Sequence, residues 1–176
     1  MTTTLRMKKP EASEYAEYYS RYISLVPEGD VVATMEAQME KFVEFLRSIP
    51  ESKADFRYAP DKWSVKELLG HMIDGERIFA YRALRFARAD QTLLPGFEQD
   101  DYVRAAGHGR SRWADLIDEF ELVRKANVLL FKQFDESAWQ RRGTASENAI
   151  SVRALAHVLV GHVEHHGNVL RERYLP

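Results

Sequence analysis

The sequence predicts an all-α protein: an up-and-down four-helix bundle with a short extra N-terminal helix and a long loop between helices two and three. Apolar residues recur at helical spacing along four stretches, each of about 20 residues. No segment carries the strict alternation of a half-buried strand. The breaks between stretches hold the Ser, Asp, Gly and Pro signals of helix ends. Four amphipathic helices without a sheet bury their stripes against each other, and bundles of this kind build cofactor sites from inward-facing side chains.

The leading segment "EASEYAEYYSRYI" sets Tyr15, Tyr18, Tyr19 and Tyr22 at helical spacing, which predicts the short extra helix laid against the body. "PEGD" then breaks the chain, with Asp30 as N-cap of the first long helix. Val32, Met35, Met39, Phe42 and Leu46 form its stripe, which ends near Pro50. Ser64 and Glu67 have capping-box spacing, so the second helix starts there and runs to about Arg88. "TLLPGF" and "AAGHGR" frame a connection of about 20 residues, long enough to cross a site, with a short helical turn around "EQDDYVRAA". The third helix runs from about Ser111 to Phe134 on Trp113, Leu116, Ile117, Phe120, Leu130 and Phe134. "RRGTASENAI" reads as a loop, and Ser151 caps a fourth helix that reaches about Tyr174.

Composition narrows the function classes. The 176 residues are 45% hydrophobic and 30% charged, the balance of one globular domain spanning 1–176. A net charge of −2 offers no basic field for nucleic acid or anionic lipid. No apolar run approaches the roughly 20 residues that span a bilayer. The start "MTTTLRMKKP" lacks the apolar block of a secretory signal, so a cytoplasmic location is expected. There is no cysteine, which removes thiolate ligands and a protein-borne thiol nucleophile.

The histidines carry the chemistry. "GHVEHHGNVLRERYL" holds His162, His165 and His166. With His162 at zero and about 100° per residue, Val152, Leu155, Leu159, Val163, Val169 and Leu170 span roughly −20° to 100°. His162 and His166 fall inside that arc, His165 on its border, and His157 on the water side. Imidazoles at i, i+4 lie one turn apart and can aim two ring nitrogens at one ion, and burying both without partners is costly. A bare HxxxH is a weak signal, and two core histidines bonded to neighbours is the competing reading. The second helix adds His71 at the edge of its stripe of Val65, Leu68, Met72, Phe79 and Phe86. Glu67 and Asp74 lie close enough to support an imidazole, though Glu67 also suits its capping box and Asp74 suits solvent. Three imidazoles leave a coordination position open, the count of a catalytic site, and suit several metals. HExxH is absent because Val163 follows His162, so peptidase chemistry loses support and Glu164 reads as solvated. Arg82 and Arg85 are candidates to receive an anionic substrate, or surface ion-pair partners. Asn127 bonds either to the site or to a neighbouring side chain. Trp63 and Trp139 read as packing residues, and His108, between glycines, as exposed.

The segments "KWSVKELLGHMIDGERIFAYRALRFARAD", "LPGFEQDDYV" and "HVLVGHVEHHGNVLRERYL" together resemble the DinB/YfiT-like superfamily of metal-dependent enzymes, over nearly the whole chain. The resemblance implies a four-helix bundle with a divalent metal, zinc or nickel, held by His71 from the second helix and by His162 and His166 from the last. It also implies activities that range from hydrolysis to thiol-dependent isomerisation and transfer of an external low-molecular-weight thiol. A small-molecule substrate and a homodimer go with it. His165, beside His166, is the departure from the pattern. The expectation is therefore a metal-dependent hydrolase or thiol S-transferase whose ion activates water or a thiolate. The alternatives are a non-catalytic metal-binding or stress-related interaction bundle, and a bundle with satisfied core histidines.

Overall fold

The N-terminal segment, expected as one short helix, is a run of tight turns. In the computed structural model, which describes residues 4–175, 3-10 turns at Ala12–Glu14 and Glu17–Tyr19 lead into α1 (Ser20–Ile23). Residues 1–3 and 176, part of the expected domain, lie outside the described residues. A tertiary contact overrides the helical spacing here. The Glu14 carboxylate is drawn into the body, where it accepts from Ser151 (2.7 Å) and pairs with Arg153. The chain beyond it is extended, with Tyr15 at φ −154° and ψ 160°.

Most of the helix signals act as the sequence expects. Asp30 accepts from the backbone N–H of Val32 (2.9 Å) and Ala33 (3.3 Å), starting α2 (Val31–Ser48). Ser64 and Glu67 close a reciprocal capping box at the head of α3 (Val65–Ala87). The long connection carries α4 (Gln99–Ala106), which stops at Gly107 in the left-handed region, φ 67°. Next come α5 (Trp113–Lys132) and a short α6 (Glu136–Gln140). Phe134 lies beyond α5 yet is buried, while Val128 and Phe131 fill the helix's inner face beside the expected stripe. Ser151 caps α7 (Val152–Val169), which ends in a π turn at Leu170–Tyr174.

The expected loop "RRGTASENAI" is instead a β-hairpin. Strands β1 (Arg142–Ala145) and β2 (Asn148–Ser151) pair antiparallel around a two-residue turn, with Ser146 at φ 51° and Glu147 at φ 64°. Such a turn normally announces itself as Asn-Gly or Asp-Gly. Ser-Glu carries no such signal. Leu94 of the long connection adds to the hairpin, donating its N–H to Thr144 (3.0 Å) and accepting from the N–H of Ser146 (3.1 Å).

Two apolar clusters set the direction of each long helix. One gathers Val32 and Met35, Ala83 and Phe86, Val128 and Phe131, and Leu155 and Leu159. The other gathers Met39 and Leu46, Val65 and Leu69, Trp113 and Ile117, and Val163 and Leu170. Thus α2 and α7 run from the first cluster to the second, and α3 and α5 run back. The bundle is two helices up and two down, with α3 and α5 parallel and joined by the long connection 88–112, which must return along the bundle. Each of α3 and α2 packs on both α5 and α7. Among the described residues no helix is long and apolar enough to cross a membrane.

His157, expected to face water, is buried at 1% exposure. The reason is coverage: α1 and the N-terminal turns pack on the side of α7 that a four-helix wheel leaves open. Its Nδ1 sits 3.0 Å from the Arg153 carbonyl, so it is a satisfied core histidine.

Candidate metal centre

Helix periodicity brings the site together. On α3, His71, Gly75, Phe79 and Arg82 are separated by 4, 4 and 3 residues and share one face. On α7, His162 and His166 are one turn apart. Because α3 and α7 are antiparallel neighbours, the first turns of one meet the last turns of the other. Gly75 makes the approach possible: a Cβ there would stand 3.0 Å from His162 Cε1.

The imidazoles converge through one nitrogen each. His71 Nε2 lies 3.0 Å from His162 Nε2, which lies 3.1 Å from His166 Nε2. Among the described residues these three form the group able to hold a metal ion, with all ligand atoms within 4.8 Å of one another. His71 and His162 are buried and His166 is half-buried. Burial holds His71 down to about 4. Burial first, then the neighbouring imidazoles, holds His162 and His166 well below the ordinary histidine range. All three rings are therefore neutral at physiological pH, with lone pairs to offer.

This donor set fits a divalent ion better than it fits a hydrogen-bonded cluster. A neutral ring has one N–H, and each nitrogen carries either a proton or a lone pair. His162 Nε2 can therefore satisfy only one of its two neighbours. The buried Nδ1 atoms of His162 and His166 have no protein partner among the described residues. A cation would accept all three Nε2 lone pairs at once. Bonds of about 2.0–2.1 Å at tetrahedral angles separate ligand nitrogens by roughly 3.3 Å, close to the spacing found here.

Rings pack the three imidazoles in place. Trp63 lies 4.8 Å from the His71 ring, and Tyr22 and Phe79 stand edge-on to His162 at 5.4 and 5.7 Å. The α1 backbone presses on α7 at Gly161, where a Cβ would overlap the Tyr22 carbonyl, and this close approach seats Tyr22. His165 faces Tyr22 at 5.5 Å and stays out of the cluster. Beside His71 and His162 opens a cleft of about 420 Å³, walled by Tyr19, Tyr22, Phe79, Arg82, Glu98 and Ser146.

The other candidates sort as follows. Glu67 completes its capping box and pairs with Arg57 at 2.6 Å. Burial raises the Asp74 pKa against the opposing fields of His108 and Arg77. Neither acid joins the histidine cluster. Asn127 donates to the Glu76 carboxylate (2.9 Å), which also pairs with Arg124 at 2.6 Å. Arg85 pairs with Asp90 and Tyr81. Neither Asn127 nor Arg85 lines the cleft, whereas Arg82 does. Glu164 is half-buried and accepts from Gln38 at 3.3 Å. His108, expected to be exposed, lies partly buried with its ring on the Gly70 backbone, where only a glycine leaves room. Sequence reasoning assigned no role at the cleft to Tyr19, Tyr22 or Ser146. The tyrosine spacing was a signal of packing only, and Ser146 sits in the turn that the sequence does not announce.

Comparison with known proteins agrees with this architecture. No curated protein sequence matches the chain. Among solved structures, YfiT from Bacillus subtilis, a probable metal-dependent hydrolase with an unusual four-helix bundle topology, superposes with a TM-score of 0.65 at 15% identity. That match covers 95% of this chain and 96% of YfiT. The mycothiol-dependent maleylpyruvate isomerase gives a TM-score of 0.65 at 10% identity, over 82% of this chain and 61% of the isomerase. At these identities the likeness is one of fold. The sequence itself matches the DinB superfamily over residues 34–170, which include all three converging histidines, and the chain belongs to that family.

Proposed function

We propose that the chain is a metal-dependent enzyme acting on a small molecule held in the cleft, with His71, His162 and His166 as the ligands of a divalent ion, zinc or nickel. One observation carries the reading: three neutral imidazoles from two helices aim Nε2 at a common point beside an open cleft. When bound, the ion supplies Lewis acidity that makes water or a thiol reactive near neutrality. The protein supplies the rest. Burial keeps the three rings unprotonated, Trp63, Phe79 and Tyr22 fix their orientation, and the aromatic walls exclude bulk water from the reacting end.

Of the two chemistries within the family, transfer of an external low-molecular-weight thiol is the better supported. Among the described residues, no carboxylate joins the histidine cluster to serve as a base for water. A thiol, with an ordinary pKa of about 8.5, needs far less help to ionise than water does. Glu98 lines the cleft, and the charge of Asp100 reaches His71, so these are acids available to a hydrolase, Glu98 being the one in the cleft wall. A cytoplasmic homodimer belongs to the same reading, and sedimentation equilibrium tests the oligomer.

Elemental analysis of protein purified without a polyhistidine tag is the first test. One equivalent of metal is expected in the wild type and none in His162→Ala. Metal-loaded protein is then incubated with thiols plus electrophiles, and separately with an ester and amide panel. Thiol adducts that form in Glu98→Gln as in the wild type support transfer; ester cleavage that Glu98→Gln abolishes supports hydrolysis instead. Absence of stoichiometric metal, or turnover that survives His162→Ala, overturns the proposal.

A further inference from the structure

Four cationic side chains are buried among the described residues: Lys66, Arg82, Arg124 and Arg153. Three of them have an acid. Lys66 pairs with Asp55, Arg124 with Glu76, and Arg153 with Glu14. Arg82, at 3% exposure, has none. Its guanidinium meets neutral oxygens: Nη2 donates to the Pro95 carbonyl and to Ser146 Oγ, both at 3.0 Å, and the Tyr19 hydroxyl is a further hydrogen-bond partner. A buried cation without a counter-charge is expensive, and proteins keep one where a ligand brings the missing charge.

The place of Arg82 says which ligand. It lines the same cleft as His71 and His162, eleven residues along α3 from His71, or about 16 Å of helix rise on one face. Both side chains reach into the cleft from the two ends of that span. The wall between them is aromatic, made by Tyr19, Tyr22 and Phe79, with Phe97 flanking the guanidinium at 6.0 Å. The long connection and the hairpin hold Arg82 in place through Pro95 and Ser146, so the guanidinium is oriented before any ligand arrives. A planar guanidinium matches a carboxylate by two parallel hydrogen bonds. One cation, with the Glu98 carboxylate also lining the cleft, favours a single negative charge and disfavours a dianion such as phosphate.

We propose that Arg82 is a specificity residue that receives the carboxylate of a small, partly apolar organic acid whose other end lies at the three histidines. The inference rests on the metal-centre reading for that far end only. The ligand class is a monocarboxylate with an apolar spacer between the acid and the reacting group.

The probe is 3-phenylpropionate, compared with 3-phenylpropanamide and phenyl phosphate by isothermal titration calorimetry on the full chain. The acid is expected to bind at least tenfold more tightly than the amide. Arg82→Gln is expected to lower the acid to the affinity of the amide, and Arg82→Lys to keep a preference for the acid. His162→Ala, which loses the metal, still prefers the acid. A second measurement needs no variant: the Arg82 Nε–H signal in an NMR spectrum of the wild type shifts with the acid and not with the amide. Equal binding of acid and amide overturns the proposal, as does an unchanged preference in Arg82→Gln. A preference that disappears in His162→Ala assigns the carboxylate to the metal and also overturns it. Tighter binding of phenyl phosphate refutes the carboxylate assignment. A chain without stoichiometric metal that still prefers the acid overturns the metal reading alone.

Discussion

Removing Arg124 tests the polar tie through the middle of the bundle. Arg124, fully buried at 0% exposure on α5, joins four helices: its Nη2 donates to the Glu76 carboxylate on α3 (2.6 Å) and to the Leu159 carbonyl on α7 (3.2 Å), and its Nη1 donates to Gln38 Oε1 on α2 (3.4 Å). Glu76, at 1% exposure, also accepts from Asn127. Burial raises the Glu76 pKa despite Arg124 and Asn127, so the pair is held at a desolvation cost. Arg124→Met leaves the acid without its cation and the Leu159 carbonyl without that donor. Breaking one side of such a pair costs about 3–5 kcal/mol. For a chain of this size, that corresponds to roughly 6–20 °C in Tm. Replacing both partners removes the buried charge altogether, so Glu76→Leu with Arg124→Met is expected to recover most of the loss. The sign with pH follows from the raised pKa. As pH falls through it Glu76 takes up a proton, so the deficit of Arg124→Met shrinks in mild acid. Urea unfolding at pH 7 and pH 5 reads all three results. A single-variant loss under about 1 kcal/mol, or a double variant no more stable than Arg124→Met, would refute the account.

Two further perturbations address how the N-terminal turns and α1 are held against α7. Gly161→Ala is expected to cost about 1–3 kcal/mol, because the added Cβ overlaps the Tyr22 carbonyl and α1 must move away. Urea midpoints check this, and an unchanged midpoint would show that α1 does not press on α7. Glu14→Gln is expected to destabilise by about 1–3 kcal/mol at pH 7, through loss of the charge facing Arg153. Burial would raise the Glu14 pKa, but the bonds from Arg153, Ser151 and the Glu11 backbone outweigh it and hold it low. A depressed carboxylate stabilises above its unfolded value of about 4.3 and loses that contribution as pH falls through its folded value. The gap between Glu14→Gln and the wild type therefore closes in acid. Thermal melts from pH 7 to pH 2 test this, and a gap that does not narrow as pH falls removes the ionic role.

What was legible in the sequence was local. Asp30, Ser64 with Glu67, and Ser151 announce helix starts because a cap acts within three residues. His162 and His166 separate from His165 because one helix stripe fixes their direction. What failed depends on distant partners. His157 faces inward because α1 and the N-terminal turns cover a side of α7 that a wheel counts as solvent. The N-terminal run breaks into turns because Glu14 answers to Arg153, 139 residues away. The hairpin was invisible because Ser146 and Glu147 adopt positive φ without the residues that prefer it, held by pairing with Leu94.

The two kinds of information also divide the candidate site. His71, His162 and His166 sit on α3 and α7, whose registry is set by the core, so their convergence is rigid and cheap to keep. The end of the cleft proposed to receive the substrate is built differently. Arg82 is aimed by Pro95 of the long connection and Ser146 of the hairpin turn, and Tyr19 and Tyr22 arrive on the N-terminal turns. Because α3 and α5 run in parallel, the chain between them must travel the bundle's length, and that return path is what supplies Phe97 and Glu98 to the cleft and the Pro95 carbonyl to Arg82. Loops tolerate exchange more readily than packed helices do. On the proposed reading, the same three histidines would keep one metal chemistry while the return path, the hairpin and the N-terminal turns change the molecule presented to it. Grafting a different 91–98 segment onto this chain should alter the preference for acid over amide without altering metal content. Loss of metal on such a graft would show that the helices alone do not hold the ligands.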